Sequence, residues 1–113
     1  MSQVERRLRR RLAAFVLRLY VANHDVTSVK ATTIIEQVLR DYLPHGSTLD
    51  VVDILSDPQR GVDDGILVTP TLIKLAPSPL RRIFGDMSDR PKLLAALGLA
   101  ESDRRPGPPA GAA

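Results

Sequence analysis

The sequence lacks several residue types, and each absence excludes a class of chemistry. Its 113 residues include no cysteine, which rules out disulfides, thiol catalysis and cysteine-ligated zinc sites. There is no tryptophan, and only two phenylalanines and two tyrosines are present, so the hydrophobic core must be mainly aliphatic. No glycine-rich phosphate-binding loop is found, and we expect any ATP chemistry to belong to a partner.

Long apolar runs are also missing. No stretch reaches the roughly 18 consecutive apolar residues of a membrane-spanning helix. The segment LAAFVLRLYVA follows a basic flank, as the apolar region of a signal peptide would, but Arg18 interrupts it. We therefore expect a cytoplasmic protein with no membrane association.

Excess positive charge is confined to the start of the chain. Residues 1–13 hold five arginines and one glutamate, residues 14–100 hold nine basic and ten acidic side chains, and residues 101–113 hold two of each. We therefore divide the chain into an Arg-rich N-terminal arm (1–13), one folded domain (14–100) and a disordered Pro/Gly/Ala-rich tail (101–113). Because the domain itself has no basic excess, we do not expect it to bind nucleic acid.

The first half of the domain has the pattern strand, helix, strand. Residues 15–21 (FVLRLYV) are apolar and rich in strand-forming residue types apart from Arg18, as expected of a buried central strand. A helical stripe of apolar residues follows, with Asp25 or Thr27 as the N-cap. Residues 48–55 then form a second apolar strand. This order predicts a crossover connection and a parallel pair of strands.

The second half allows two interpretations. Residues 57–65 form a polar connection with one helical turn at its start. Residues 71–75 and 80–84 can form a β-hairpin, yet residues 78–85 also satisfy the rules for a helical turn. Residues 88–98 are predicted to form a final helix.

The order strand, helix, strand, helix, strand, strand, helix resembles thioredoxin. Thr69-Pro70-Thr71 stands before the third strand, where that fold usually has a cis proline. Thioredoxin chemistry needs a Cys-x-x-Cys motif at the start of the first helix, whereas residues 23–30 read NHDVTSVK. A redox function is therefore excluded.

A wider resemblance is to the KaiB family of bacterial circadian-clock proteins. Five segments match the pattern of this family in order and together cover about residues 15–99. They are VLRLYVAN (16–23), TSVKA (27–31), VVDILSDPQ (51–59), ILVTPTLIKLAPSPLRRIFGDMSDR (66–90) and KLL (92–94). The fourth segment is the longest, and a match of this length identifies the family much more specifically than a short motif would.

This resemblance implies a binding protein that needs no cofactor and is not an enzyme. KaiB proteins bind the N-terminal ATPase ring of the hexameric KaiC ATPase, sequester KaiA and compete with the histidine kinase SasA. They are also metamorphic, since a ground state, often a dimer or tetramer, differs from the thioredoxin-like binding state in the second half of the chain. We expect an α/β fold and favour the thioredoxin-like βαβαββα order, with the ground-state βαββααβ order as the alternative.

The resemblance also marks candidate partner-binding residues. They are Tyr20, Lys30, Lys74, Arg81 and Arg82. Each also has a simpler interpretation. Tyr20 would be a half-buried aromatic residue of a strand, and Lys30 a solvated residue of a helix. The other cations would prevent aggregation through an exposed strand edge. Salt-sensitive docking on an acidic ring surface is the functional interpretation.

The second half contains the residues expected to take part in fold switching. They are Pro70, Pro77, Pro79, Gly85, Ala96 and Gly98. The three prolines suit strand edges and a helix start alike. Many family members have Gly-Leu-Asp where this chain has Ala96-Leu97-Gly98, and alanine favours a helix over glycine by about 1 kcal/mol. We therefore expect the thioredoxin-like state to be more populated here than in typical members.

No metal or catalytic site is predicted. His24 and His45 stand apart, with Asp25 the only nearby ligand type. Five aspartates form an acidic patch that we expect to be solvated. They are Asp50, Asp53, Asp57, Asp63 and Asp64.

The resemblance thus implies a clock adaptor that binds a KaiC-type ATPase and modulates its activity, but two other functions stay open. One is a thioredoxin-like sensor or signalling module, similar to the sensor domain of SasA, with a different protein partner. The other is polyanion binding through the arginines of residues 6–11, with the domain as a passenger.

Overall fold

The computed structural model of the chain describes residues 2–5, 13–23 and 25–105. The arginines on which the predicted polyanion-binding arm depends lie outside the described residues, and so do His24 and the part of the predicted tail beyond residue 105.

From residue 13 onward, the described residues form four strands and three α-helices. In chain order these are β1 (Val16–Val21), α1 (Val26–Tyr42), β2 (Thr48–Asp53), α2 (Pro58–Asp63), β3 (Thr71–Ala76), β4 (Arg81–Phe84) and α3 (Arg90–Ala96), followed by a 3-10 turn at Glu101–Asp103. This order confirms the favoured βαβαββα arrangement over the βαββααβ alternative. None of the helices in the described ranges combines the length and apolar character needed to cross a membrane.

The four strands form one mixed sheet in the order β2-β1-β3-β4. β1 runs parallel to β2 and antiparallel to β3, and β3 pairs antiparallel with β4. β1 is therefore a central strand, as its apolar sequence predicts. The parallel pair that the strand–helix–strand order predicts is confirmed.

The ambiguous segment at residues 80–84 is a strand rather than a helical turn. Ile83 lies opposite Leu72 in the β3–β4 ladder and packs against the core, whereas the next residue, Phe84, is 57% exposed. A helix would have placed both side chains on one face. The alternation instead follows the two-residue period of a strand, because β3 offers β4 a complete pairing edge.

Prolines 70, 77 and 79 are accommodated without breaking the ladder. Pro70 precedes β3, and Pro77 and Pro79 lie in the connection between β3 and β4. At these positions a residue without an N–H costs the sheet no hydrogen bond. All three X–Pro peptide bonds are cis, including Thr69–Pro70, where the thioredoxin resemblance implies this geometry.

Polar caps and one glycine set the helix ends. Asp25 caps α1, since its Oδ1 accepts a hydrogen bond from the Ser28 N–H at 2.7 Å, so the first of the two predicted caps is used. Asp89 caps α3 in the same way through the Lys92 N–H at 3.2 Å. The chain leaves α3 at Gly98, whose φ of +77° lies in the left-handed region that glycine tolerates best.

The helices cover the two faces of the sheet unequally. α1 and α3 pack on one face and bury the larger cluster of apolar side chains, which includes Leu17 and Leu72. The shorter α2 covers part of the other face, where Tyr20 and Ile73 belong to a small second cluster. We call these the two-helix face and the α2 face.

Residues 101–105, the first part of the predicted tail, contact the folded domain. The Tyr42 hydroxyl lies 2.5 Å from Glu101 Oε2, and the Arg105 N–H donates to the Asp41 carbonyl at 2.6 Å. These contacts fasten residues 101–105 to the end of α1. The tail prediction is therefore corrected for these residues, because composition does not report contacts with a helix some 60 positions earlier.

Candidate partner-binding surface

Four segments meet at one end of the sheet, where β1 ends, α1 begins, β3 begins and β4 ends. The strand register places Tyr20 beside Thr71 and Thr71 beside Phe84. The Gly85 N–H donates to the Pro70 carbonyl at 3.0 Å, which joins the end of β4 to the start of β3. We call this end of the molecule the proline end.

The proline end carries several exposed apolar side chains. Val26 lies in the first turn of α1, Val68 and the 92% exposed Leu67 precede Pro70, and Phe84 ends β4. Isolated exposed apolar residues are common, but several at one end of a small sheet indicate an interaction surface. We define the proline-end surface as Val26, Lys30, Leu67, Val68, Phe84 and Asp86.

Lys30 supplies positive charge to this surface. It is exposed in α1, near the exposed carboxylate of Asp86. The pKa of Asp86 is lowered mainly by its hydrogen bonds with Ser88, whose N–H lies 2.9 Å from Asp86 Oδ1, and to a smaller extent by the Lys30 ammonium. The predicted contact residue Lys30 thus belongs to a mixed surface, apolar with one charge of each sign.

The other three predicted cations lie away from Lys30. Lys74 and Arg81 are cross-strand neighbours on β3 and β4 and line a common groove on the two-helix face. Arg82, the next residue along β4, points to the α2 face, where it lies near Gly65. The predicted cations therefore form no single docking surface, because alternate strand residues point to opposite faces.

Two of the predicted contact residues are buried. Lys74 is 4% exposed and Tyr20 is 0% exposed. The prediction that they contact a protein partner directly is wrong for this fold. Tyr20 has a structural role on the α2 face, where its hydroxyl donates to Asp64 Oδ2 at 2.5 Å and lies 2.9 Å from the Arg60 carbonyl oxygen.

A network of charged side chains surrounds this hydroxyl and was not foreseen. Arg18 Nε lies 3.3 Å from Asp50 Oδ2, and Arg18 Nη1 lies 3.1 Å from Asp64 Oδ2. Arg60 also donates to Asp50. We call Arg18, Tyr20, Asp50, Arg60 and Asp64 the charge network.

The charge network shifts the pKa of its members in opposite directions. The hydrogen bond from Arg60 lowers the pKa of Asp50, and the hydrogen bond from Tyr20 lowers the pKa of Asp64. Burial, with a smaller contribution from Asp64, raises the pKa of Tyr20 to about 12. Asp50 and Asp64 of the predicted patch are therefore ion-paired, although the side chain of Asp50 stays 49% exposed.

One sequence signal could have indicated the network. Arg18 and Tyr20 alternate with leucines in β1, so a period of two places both on one face. Their partners Asp50 and Asp64 are 32 and 46 positions from Arg18, and no local pattern connects them.

The residues predicted to take part in fold switching lie at element boundaries. Pro70 precedes β3, Gly85 with a φ of +78° follows β4, and Ala96 is the last residue of α3. Within the described ranges, no three histidine, aspartate or glutamate side chains lie close enough together to hold a metal ion.

The KaiB domain family matches residues 18–99 of this chain. The circadian clock oscillator protein KaiB of Rippkaea orientalis is 43% identical over 91 residues, which cover 80% of this chain and 88% of that protein. The protein of the same name from Trichodesmium erythraeum is 44% identical over 85 residues, covering 75% of this chain and 82% of the relative.

Two solved structures have a similar fold. One, described as a malarial protein, has a TM-score of 0.64 at 16% identity, covering 76% of this chain and 96% of that one. The other is the N-terminal domain of SasA from Synechococcus elongatus, with a TM-score of 0.54 at 23% identity, covering 64% of this chain and 69% of that one. At these identities the likeness supports the thioredoxin-like fold alone.

Proposed function

The chain belongs to the KaiB family, and on that premise we propose that it is a non-enzymatic timing adaptor that binds the N-terminal ATPase ring of a KaiC-type hexamer and modulates its activity. The observation that carries this proposal is the 43% identity, over four-fifths of the chain, to a protein named as a circadian clock oscillator. KaiA or a SasA-like histidine kinase would be further partners where the host has them.

The proline-end surface is the part of the molecule best suited to hold the ring. Its exposed apolar residues offer area to bury, and the rigid sheet beneath them costs little ordering on binding. Lys30 and Asp86 add charges that can set the orientation of the partner. Arg82 is exposed on the α2 face, the face that Phe84 also occupies, and could extend the contact with the ring. The other two predicted strand cations, Lys74 and Arg81, lie on the two-helix face.

In this proposal the adaptor also switches between two folds. One is the thioredoxin-like arrangement described above. The other is a ground state that differs in the second half of the chain and forms a dimer or tetramer. The thioredoxin-like state is favoured because Ala96 suits a helix and Gly98 stops it. Amide NMR with Cα shifts tests this: helical shifts across residues 92–96 are expected in the dominant species, and extended shifts there would contradict it.

Size-exclusion chromatography with light scattering tests ring binding. The protein is mixed with the KaiC-type hexamer of its host and ATP, and is incubated for about a day to allow a slow change of fold. We expect co-elution at close to one copy per subunit of the ring. If the hexamer elutes without the protein, this chain has kept the KaiB fold but binds a different partner.

Matched variants on α1 locate the binding surface. Lys30→Glu should weaken ring binding by about tenfold, the effect of roughly 1.4 kcal/mol. Arg40→Glu makes the same charge change on the same helix, about 15 Å further along, and should leave binding unchanged. Equal losses in both variants would point to net charge rather than to the proline-end surface.

A deletion separates this function from polyanion binding. Removal of residues 2–13 should leave ring binding intact, because the proline-end surface contains none of them. Binding to heparin, if it depends on the arginines, should disappear in the same variant. Loss of ring binding would instead assign the partner contact to the arm.

A further inference from the structure

A concave site lies at the end of the sheet opposite the proline end. It is an open groove of about 1180 Å³, bounded by the start of β1, the end of α1, the β3–β4 connection and the segment after α3. Its apolar wall includes Phe15, Tyr42 and Pro77, and its charged side chains include Lys74 and Arg81. The volume is somewhat larger than the roughly 300–1,000 Å³ of typical small-molecule pockets, so a small organic ligand would fill only part of the groove.

Two of the positively charged residues in the groove face each other across neighbouring strands. Lys74 and Arg81 are paired directly across β3 and β4, and both side chains line the groove. Like charges in this cross-strand position repel each other. An anion between the two side chains would be attracted by both of them.

The lysine is the more unusual of the two residues. It is 4% exposed, and its Nζ lies 5.7 Å from the centre of the Phe15 ring. A cation–π contact offsets part of the cost of removing an ammonium from water. The groove therefore places a cation and an aromatic ring side by side, at a depth where electrostatic attraction is less screened than at the surface.

The groove also holds one carboxylate and one further guanidinium, those of Asp103 and Arg105. Arg105 Nη1 lies 3.4 Å from His45 Nε2, and its other guanidinium nitrogen donates to the Arg40 carbonyl. Asp103 Oδ2 accepts a hydrogen bond from the Ala100 N–H at 2.8 Å. In the described part of the chain, Arg81 forms no ion pair, so its guanidinium is available to a ligand.

We propose that this groove binds a small organic anion, with its oxyanion between Lys74 and Arg81 and its apolar body along Phe15, Tyr42 and Pro77. The oxyanion is a carboxylate or a phosphate, since both accept hydrogen bonds from ammonium and guanidinium groups. The site is separate from the proline-end surface, so this ligand can bind whether or not the proposed ring contact is correct.

The test uses two fluorescent probes with the same aromatic body. 1-Anilinonaphthalene-8-sulfonate carries an anionic group, and N-phenyl-1-naphthylamine is uncharged. Titrated into the full chain, the anionic probe should saturate at one site per chain. It should bind at least tenfold more tightly than the neutral probe, as one or two charge-assisted hydrogen bonds imply.

Three variants assign the binding to the groove. Lys74→Met and Arg81→Gln should each weaken the anionic probe by about tenfold and leave the neutral probe within about twofold. Arg82→Gln removes the neighbouring positive charge from the opposite face and should affect neither probe. Because Arg81 is exposed, its variant should fold even if Lys74→Met does not.

Displacement of the anionic probe identifies the head group. Octanoate and octyl phosphate share one apolar chain and differ in the oxyanion, while octanol has the chain alone. Displacement by either anion, but not by octanol, supports the proposal and distinguishes carboxylate from phosphate. Equal displacement by octanol, an unchanged affinity in Arg81→Gln or an equal loss in Arg82→Gln would overturn it.

Discussion

The hydroxyl of Tyr20, in the central strand β1, donates a hydrogen bond of 2.5 Å to the carboxylate of Asp64, just beyond α2. This contact joins two residues 44 positions apart, and it fastens the short helix α2 to the sheet. Arg18 binds the same carboxylate oxygen of Asp64 at 3.1 Å. The position of α2 therefore depends on charged and polar contacts as well as on apolar packing.

Tyr20→Phe should lower the free energy of unfolding at pH 7 by about 1–3 kcal/mol, because the partly buried carboxylate of Asp64 loses a hydrogen-bond donor. Since folding raises the pKa of Tyr20 to about 12, the contribution of its protonated hydroxyl is fully present below pH 10. It is lost as the pH rises from about 10 towards 12. Urea unfolding of the unaltered protein and of Tyr20→Phe is measured at intervals from pH 7 to 11.5. The difference between their free energies of unfolding should become smaller above pH 10. A constant difference would show that the hydroxyl is not protected from ionisation.

Arg18→Met should make the loss of stability at acid pH slightly less steep, because Arg18 lowers both pKa values to a smaller extent than Arg60 does at Asp50 and Tyr20 does at Asp64. The pKa values of Asp50 and Asp64 are lowered in the folded protein, so their contribution is present above the unfolded pKa near 4 and is lost as the pH falls through the lower folded values. Both pairs are partly solvated, which limits the loss at pH 7 to about 1–2 kcal/mol in total. Urea unfolding between pH 2.5 and 7 measures both effects. A loss of stability at acid pH as steep as that of the unaltered protein would contradict this role of Arg18.

Gly61→Ala should destabilise the protein by about 1 kcal/mol, although alanine favours a helix over glycine by a similar amount. A Cβ at position 61 would lie 2.6 Å from Ile54 Cδ1 and 2.7 Å from Ile54 Cγ1, so one of the two side chains must move. The clash can be removed by Ile54→Ala. In that background, Gly61→Ala should become neutral or stabilising in urea unfolding. A destabilisation that persists there would assign the effect to the backbone of α2.

Gly98→Ala should destabilise the end of α3 by about 1 kcal/mol, because a residue with a Cβ is strained at a φ of +77°. Gly98→Asn is the matched control, since asparagine tolerates the left-handed region better, and its loss should be clearly smaller. Urea unfolding gives the two energies, and Cα shifts across residues 90–96 report whether the helix is retained. Equal losses in the two variants would mean that backbone strain is not the cause.

Much of the fold could be predicted from local signals. The apolar composition of residues 15–21 predicts β1, Asp25 and Asp89 provide caps, and glycine at position 98 predicts the end of α3. These signals work because helix ends, turns and strand alternation depend on residues a few positions apart. Lys30 was placed correctly on an exposed helix face for the same reason.

The candidate sites were less predictable, since burial depends on distant parts of the chain. Tyr20 and Lys74 were expected at a partner surface, but α2 and the groove-lining segments enclose them. Arg81 and Arg82 were predicted to contact the same partner because they are adjacent in the sequence. In β4, however, adjacent side chains point to opposite faces of the sheet.

By itself the sequence determined the order of the elements in the first half of the domain, the family, the exclusion of thiol chemistry and most helix ends, since each follows from residue type, short spacing or the match to the family pattern. Tertiary structure alone decided that residues 81–84 are a strand, because that choice depends on hydrogen bonds to β3. It also decided which charges meet, since Arg18, Asp50 and Asp64 are brought together only when β1, β2 and the end of α2 pack against one another.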